Sequence, residues 1–538
     1  MNYIISLLPW LIPCMGAFLT AALPLSSYSR VRRWGHTAIL VGTSVAFALV
    51  QGAMAPELGR SFPLMEYSAL AFSYAHPGTM VGWLPLGLLT LTNLGLIREP
   101  LGRLESAGQL ALAGGMLATV AASNAFTLGV TWSLTDLMLL ALKLRDAHQE
   151  EPHLLMRYGA SNLLSTMALV VGIALVGRWE TALPAYAFAK FPAASLPWLA
   201  LAAFLRLGVY PLPNRHGGTW EIDLVSLYTG IYLWLQVSMA HPLALARLPM
   251  LFIALSLLAA GLLATHAVDF GSGWPYVSMY SVLLSLFPVL VGGDAGAAVT
   301  LSLTSLWALC LTLRHLYISA SVPKMVAPWW RVPMMIALAA LSGLPPTLGF
   351  TARWSLLRLC WLDGRWGLIL TVSVASLLVS TMLWQQLDKL LALHGDYERL
   401  KWPKRIPLGA ASLLAAALMV SGVCPTCLGP IWPGQGTALL PFSEGIKQVA
   451  VPLLLTLIPA LGAYALHILR SRLSLDVLLR LEGVDALLGL EWLYGGMEMV
   501  SQRTGAGIRQ LYRALEEALG LGWILMWALA LTLYLVER

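Results

Sequence analysis

An all-α polytopic membrane protein, with about 14 to 16 transmembrane helices and breaks inside some of them, is the fold class this sequence predicts. Three observations carry that expectation. Of the 538 residues, 58% are hydrophobic and 11% charged, with a mean hydropathy of +0.75, outside the range of water-soluble globular chains. Apolar runs of the roughly 20 residues needed to cross a bilayer recur along the whole length, separated by short polar or Gly/Pro-marked breaks. One long run is interrupted by "GLPPTLGF", Gly343 to Phe350, whose Pro345 and Pro346 remove backbone donors and must break a helix. A broken helix at membrane depth is tolerated only against protein or a water-filled cavity, so the break points to an internal path.

Taken in order, helices are expected near 2–24, 35–54, 79–97, 107–122, 125–142, 154–177, 194–213, 221–240, 246–267, 275–292, 295–316, 332–362 with its break, 366–390, 406–423, 447–470 and 519–536. The first run, Tyr3 to Leu23, has no basic region before it and a second run soon after. It reads as a transmembrane helix rather than a cleaved signal peptide. Between 471 and 518, leucines recur at three- and four-residue intervals among charged residues, an amphipathic pattern suited to the membrane surface. A helical connecting loop and a docking arm for a neighbouring subunit fit that pattern equally.

The net charge of +7 does not signal nucleic acid, because the basic residues cluster at helix ends, where topology signals lie. One set of alternate loops carries Arg30, Arg32, Arg33, Arg98, Arg103, Lys143, Arg145, Arg157, Arg215, Arg314, Lys324 and Arg331; the other carries Arg60, Arg178, Lys190 and Arg247. The rich side is cytoplasmic, which places the amino terminus outside. Cys14, Cys310 and Cys360 fall in apolar runs as core residues. Cys424 and Cys427 form "CPTC" in an outside loop, as a local disulfide or two bystander thiols.

Charges inside the membrane are few, and each costs about 2.5 to 3.5 kcal/mol at a helix centre on insertion scales. Asp136 lies in "TWSLTDLMLL", Arg206 in "FLRLGVYPLP", five residues before Pro211, and Arg353 just after the broken segment. No Gly-rich phosphate loop, metal-ligand cluster, nucleophile triad, flavin, haem or iron-sulfur motif stands out. No catalytic chemistry, cofactor or metal is therefore expected of the chain itself.

Three stretches together resemble the antiporter-like membrane subunits shared by respiratory complex I, membrane-bound hydrogenases and Mrp-type cation/proton antiporters. "ALSGLPPTLGFTARW", Ala340 to Trp354, is similar to the family's Gly-[Leu/Ile]-Pro-Pro-x-x-Gly-Phe signature in a broken twelfth helix, on Gly343, Pro345, Pro346, Gly349 and Phe350. "FLRLGVYPLP" resembles the seventh-helix pattern in which a lysine precedes a proline by five residues. "LLMRYGASNLLSTMALVVGIALV", Leu154 to Val176, resembles the sixth helix. The surface arm before the last helix points to the largest of these subunits, that of NADH:quinone oxidoreductase. The resemblance implies N-terminal helices over 1–106, two inverted antiporter-like repeats over 107–240 and 241–390, C-terminal helices over 391–470, the arm over 471–518 and a last helix over 519–538.

In that family a proton is thought to pass along a mid-membrane row: a glutamate on helix five, lysines on helices seven and eight, and a lysine or glutamate on helix twelve. This sequence departs at every position. Arg206 replaces the seventh-helix lysine, Tyr228 falls at the eighth-helix lysine and Arg353 at the twelfth-helix position; on helix five the register leaves Ser133 or Asp136. A buried lysine can release a proton near neutral pH, whereas a guanidinium stays charged, and the reference pKa of tyrosine is about 10. Arg206 is expected to hold a fixed charge, paired to Asp136 or facing water. The implied function is a membrane subunit of a multi-subunit, redox-driven, proton-translocating complex, complex I-like or hydrogenase-like, with a degenerate proton path and a partly structural role. The alternative is a subunit of a cation/proton antiporter or an inorganic-carbon uptake system. Expected partners are other membrane subunits, peripheral redox subunits indirectly, and lipid, in a bacterial or archaeal inner membrane.

Overall fold

The computed structural model describes residues 2–22, 29–53, 60–65, 68–72, 81–122, 124–146, 152–176, 191–209, 220–240, 248–267, 270–320, 330–392, 402–424, 446–473 and 499. The chain divides into two units, Met1–Asp476 and Val477–Arg538. Apart from Met499, the amphipathic segment after 473 lies outside the described residues, as do the last expected helix and Cys427.

The first unit is helical, as the hydropathy expects. Its helices are α1 (Asn2–Ala22), α2 (Ser29–Ala53), α3 (Trp83–Gly95), α4 (Arg103–Ala121), α5 (Ala125–Asp146), α6 (Pro152–Ala174), α7 (Leu196–Arg206) and α8 (Trp220–Ala240). They continue with α9 (Leu248–His266), α10 (Phe270–Ser319), α11 (Val332–Ser342), α12 (Leu348–Leu362), α13 (Trp366–Leu391), α14 (Trp402–Val423) and α15 (Ile446–Leu473). Helix α10 joins two expected helices across a kink at Gly293, whose φ of 55° is open to glycine. Helices α11 and α12 are the two halves of the run broken at "GLPP". Two strands, β1 (Arg60–Met65) and β2 (Ser68–Phe72), form an antiparallel hairpin where no element is expected. Its end is tied to α1 by the Phe72 ring, 5.5 Å from that of Trp10.

Two expected boundaries move. Helix α2 begins at Ser29, so Arg33, read from sequence as a loop cation, is a buried helical residue. The seventh helix stops at Arg206 instead of running to 213, for a reason built into the site below.

In lipid there is little hydrophobic drive between apolar helices, so close approach depends on small residues. Helix α4 supplies them: a Cβ on Gly114 would lie 3.0 Å from the Trp10 carbonyl oxygen of α1, and one on Gly115 2.7 Å from the Thr135 hydroxyl of α5. From there each helix packs on the next through α5, α6, α7 and α8, and α8 packs on α10. Helix α10 lies against α9, α12 and α14, and the Trp234 indole of α8 donates to the Leu286 carbonyl at 3.1 Å. Outward faces stay apolar, as Leu134 and Leu137 of α5 and Leu163, Met167 and Val170 of α6 show. Among the described residues, 125–143, 271–319, 366–391, 405–423 and 450–469 are long and apolar enough to cross a bilayer.

Candidate functional site

Helix α7 ends about two turns early, around a charge. Gly208 takes a left-handed φ of 64°, and the Val209 N–H turns back to the Phe204 carbonyl at 3.1 Å. The last-turn carbonyls of Ala202 and Leu205 accept hydrogen bonds from Ser165 and Ser161 of α6, at 2.8 and 3.0 Å. Arg206 stands in that turn, at the negative end of the helix dipole.

Four helices converge on its guanidinium, which is wholly buried at 0% exposure. Asp136 of α5 forms an ion pair with it, and the Thr166 hydroxyl of α6 donates to the same carboxylate. The Arg206 Nε–H donates to Thr229 Oγ1 of α8 at 3.2 Å, and that hydroxyl donates to the Val225 carbonyl at 2.7 Å. The Trp132 ring, one turn from Asp136, lies under the guanidinium with its centroid 4.4 Å away. Ser133, the other helix-five candidate, is half-buried and donates back to its own helix at Gly129, 2.8 Å, outside this group. Tyr228 sits beside Thr229 on α8, wholly buried, with its hydroxyl unpartnered among the described residues.

Arg353 belongs to a second centre, at the break between α11 and α12. Gly343 closes α11 at a φ of 75°, and Pro345 and Pro346 follow as an exposed turn. Gly349 lies in the first turn of α12, close under α11, with Phe350 half-buried beside it. The Arg353 guanidinium donates to the Leu341 carbonyl and sits 5.5 Å from the centroid of the Tyr280 ring. Tyr280 is pinned in turn by a 2.6 Å hydrogen bond to Ser376 of α13.

A third group of buried polar side chains was not singled out from the sequence. At the end of the bundle where α2, α4 and α8 begin, Arg33 donates to Asn93 at 3.2 Å and His36 Nδ1 meets Ser106 Oγ at 2.9 Å. Gln109 donates to the buried Glu221 carboxylate at 2.6 Å, and Trp220 stacks on His315 at 5.0 Å between centroids. In sequence these residues stand at run boundaries and read as ordinary helix ends. Only the polar positions of α4, at three-residue spacing, hinted at a shared face.

Chemically, the first centre holds one cation against one anion, with the Arg206 Nη2 and the Trp132 indole N–H lacking a hydrogen-bond partner among the described residues. A guanidinium offers five donors, no acceptor, and no proton at physiological pH. Among the described residues no group of three His, Cys, Asp or Glu could hold a metal ion.

No protein-family model matches the chain, and no curated protein matches it in sequence. Its fold is shared with solved membrane complexes. A chain of the Mrp complex from Dietzia sp. DQ12-45-1b matches with a TM-score of 0.73 at 17% identity, over 99% of this chain and 63% of that one. This chain thus spans less than two thirds of that relative's length. A chain of the membrane-bound sulfane sulfur reductase, an archaeal respiratory membrane complex, matches at a TM-score of 0.64 and 15% identity, over 78% and 76% of the two chains. A chain of respiratory complex I from Thermus thermophilus matches at 0.58 and 20% identity, over 78% and 98%. At the level of fold, the Mrp complex and respiratory complex I are among the complexes in which antiporter-like subunits were expected, and the sulfane sulfur reductase adds one that the sequence did not suggest.

Proposed function

We propose that this chain is a membrane subunit of a multi-subunit, redox-driven, proton-translocating complex, in which it serves a partly structural role beside a degenerate, disabled proton path. The observation that supports this most is the buried Asp136–Arg206 pair. Relay along a row needs side chains that take up and release protons, and here the carboxylate is neutralised by a group that does neither. Tyr228 supplies no cation at the next position, and Arg353 is a second fixed charge. The neighbours are chains of multi-subunit membrane complexes, which supports further membrane subunits as partners; peripheral redox subunits, reached indirectly, complete this reading.

A second reading, a subunit of a cation/proton antiporter or an inorganic-carbon uptake system, is favoured by the Mrp match, which extends over 99% of this chain against 78% for the respiratory complexes. Co-purification separates the two. A tag on this chain brings down flavin- or iron-sulfur-bearing subunits under the first reading; an intact complex without them supports the second.

The structural role has its own test. Arg206→Ala is expected to reduce the amount of assembled complex more than the proton uptake per assembled complex in proteoliposomes. Selective loss of uptake, with assembly intact, would overturn the disabled path.

A further inference from the structure

The two buried guanidinium groups differ in what balances them. Arg206 has the Asp136 carboxylate. Arg353, 4% exposed, has no carboxylate partner among the described residues. The buried carboxylates described are Asp136, held by Arg206, and Glu221, bonded to Gln109 at the bundle's end. What faces Arg353 instead is the Leu341 carbonyl in the last turn of α11, the face of Tyr280, and the backbone at Gly343, where a Cβ would lie 2.7 Å from the guanidinium Nη1. Ser380 of α13 donates to the adjoining Ser342 carbonyl at 3.4 Å.

Those are the groups that hold a free monovalent cation at a broken membrane helix. The carbonyl end of a half-helix carries partial negative charge, its terminal carbonyls lack in-helix donors, and an aromatic face attracts a cation. We propose that the break between α11 and α12 is a monovalent-cation site and that the Arg353 guanidinium is its permanently tethered occupant. The left-handed Gly343 keeps the helix end bare of side chain, so that the planar group can reach the carbonyl edge. The hydrogen bond between Tyr280 and Ser376 fixes the ring as one wall. A free guanidinium, sodium or potassium ion is the class of ligand that the site takes once the tether is shortened.

The test needs only the full chain, purified in lipid nanodiscs, so it reads the cation site without any redox partner or proton flux. Thermal unfolding is compared for the native chain and for Arg353→Ala, Arg353→Met and Arg353→Lys. Arg353→Lys, which keeps a cation, is expected to unfold near the native temperature. Arg353→Met, which keeps length and apolar packing without charge, is expected to fall with Arg353→Ala. Guanidinium chloride at low millimolar concentration is expected to raise the unfolding temperature of Arg353→Ala saturably, leaving the native chain unmoved, as binding to the folded state alone requires. Choline chloride at equal ionic strength has no such effect. A native-like Arg353→Met, or equal stabilisation by choline, overturns the proposal. If Arg353→Ala does not fold, the order of Lys against Met decides.

Discussion

Asp136→Asn lowers the stability of the folded chain by about 3 to 5 kcal/mol, the cost of leaving a buried ion without its partner. The expectation rests on an asymmetry in the pair. Arg206 is 0% exposed, and its remaining described contacts are one threonine hydroxyl and an indole face, neither of which carries charge. Asp136 is 11% exposed at its side chain and keeps the Thr166 hydroxyl when the guanidinium is gone. Arg206→Met is therefore the milder of the two single changes.

The double variant Asp136→Leu with Arg206→Met is expected to recover most of the loss, because apolar replacement of both members of a buried pair removes the desolvation cost along with the attraction. Denaturant unfolding in nanodiscs of the native chain, Asp136→Leu, Arg206→Met and the double variant closes a double-mutant cycle and reads the coupling directly. A near-native Asp136→Asn would mean that the guanidinium finds another counter-charge or water, and the fixed pair would lose its claim to close the path.

Gly349→Ala is expected to prevent normal folding of the break between α11 and α12. An added Cβ there would lie 1.8 Å from the Ala340 carbonyl oxygen, a backbone atom in the last turn of α11 that no rotamer change can move. On the other side Gly422 of α14 is just as confined, with a Cβ 2.2 Å from the Pro346 carbonyl oxygen. The two half-helices cannot separate without losing the Gly343 cap and the Arg353 contact, so the cost exceeds the range of about 1 to 3 kcal/mol usual for overpacking. Gly367→Ala is the control: nothing lies within 4 Å of its Cβ, and it stands in the first turn of α13. It is expected to be neutral or slightly stabilising. Yield of monodisperse protein and its unfolding temperature compare the two; equal behaviour would refute the close approach.

Much of the architecture was legible beforehand because its causes are local. Pro345 and Pro346 break the run from 332 to 362 wherever it packs, and the structure has α11 and α12 on either side. The early stop of α7 was less legible. Gly208 stands two residues past Arg206 in plain sight, yet the apolar run continues through Val209 and Tyr210, so hydropathy alone extends the helix. The hairpin at 60–72 was missed because a membrane reading looks for long apolar runs, and strands of 6 and 5 residues fall below that length. On helix five, Ser133 and Asp136 stand three positions apart, and sequence could not choose between them; in the fold Ser133 turns onto Gly129 and Asp136 reaches Arg206.

By itself the sequence determined that the chain is a membrane-spanning helical protein, where one helix must break, and that guanidinium groups stand within its apolar runs. Each of those follows from side-chain chemistry and from spacing within a single helix. The tertiary structure alone decided which charge meets which: Arg206 faces a carboxylate from a helix 70 residues earlier in the chain, and Arg353 faces the carbonyl end of its own broken partner. Such pairings depend on how each helix is rotated about its axis and which neighbour it packs against. Hydropathy carries no information on either where helices are apolar on nearly every side.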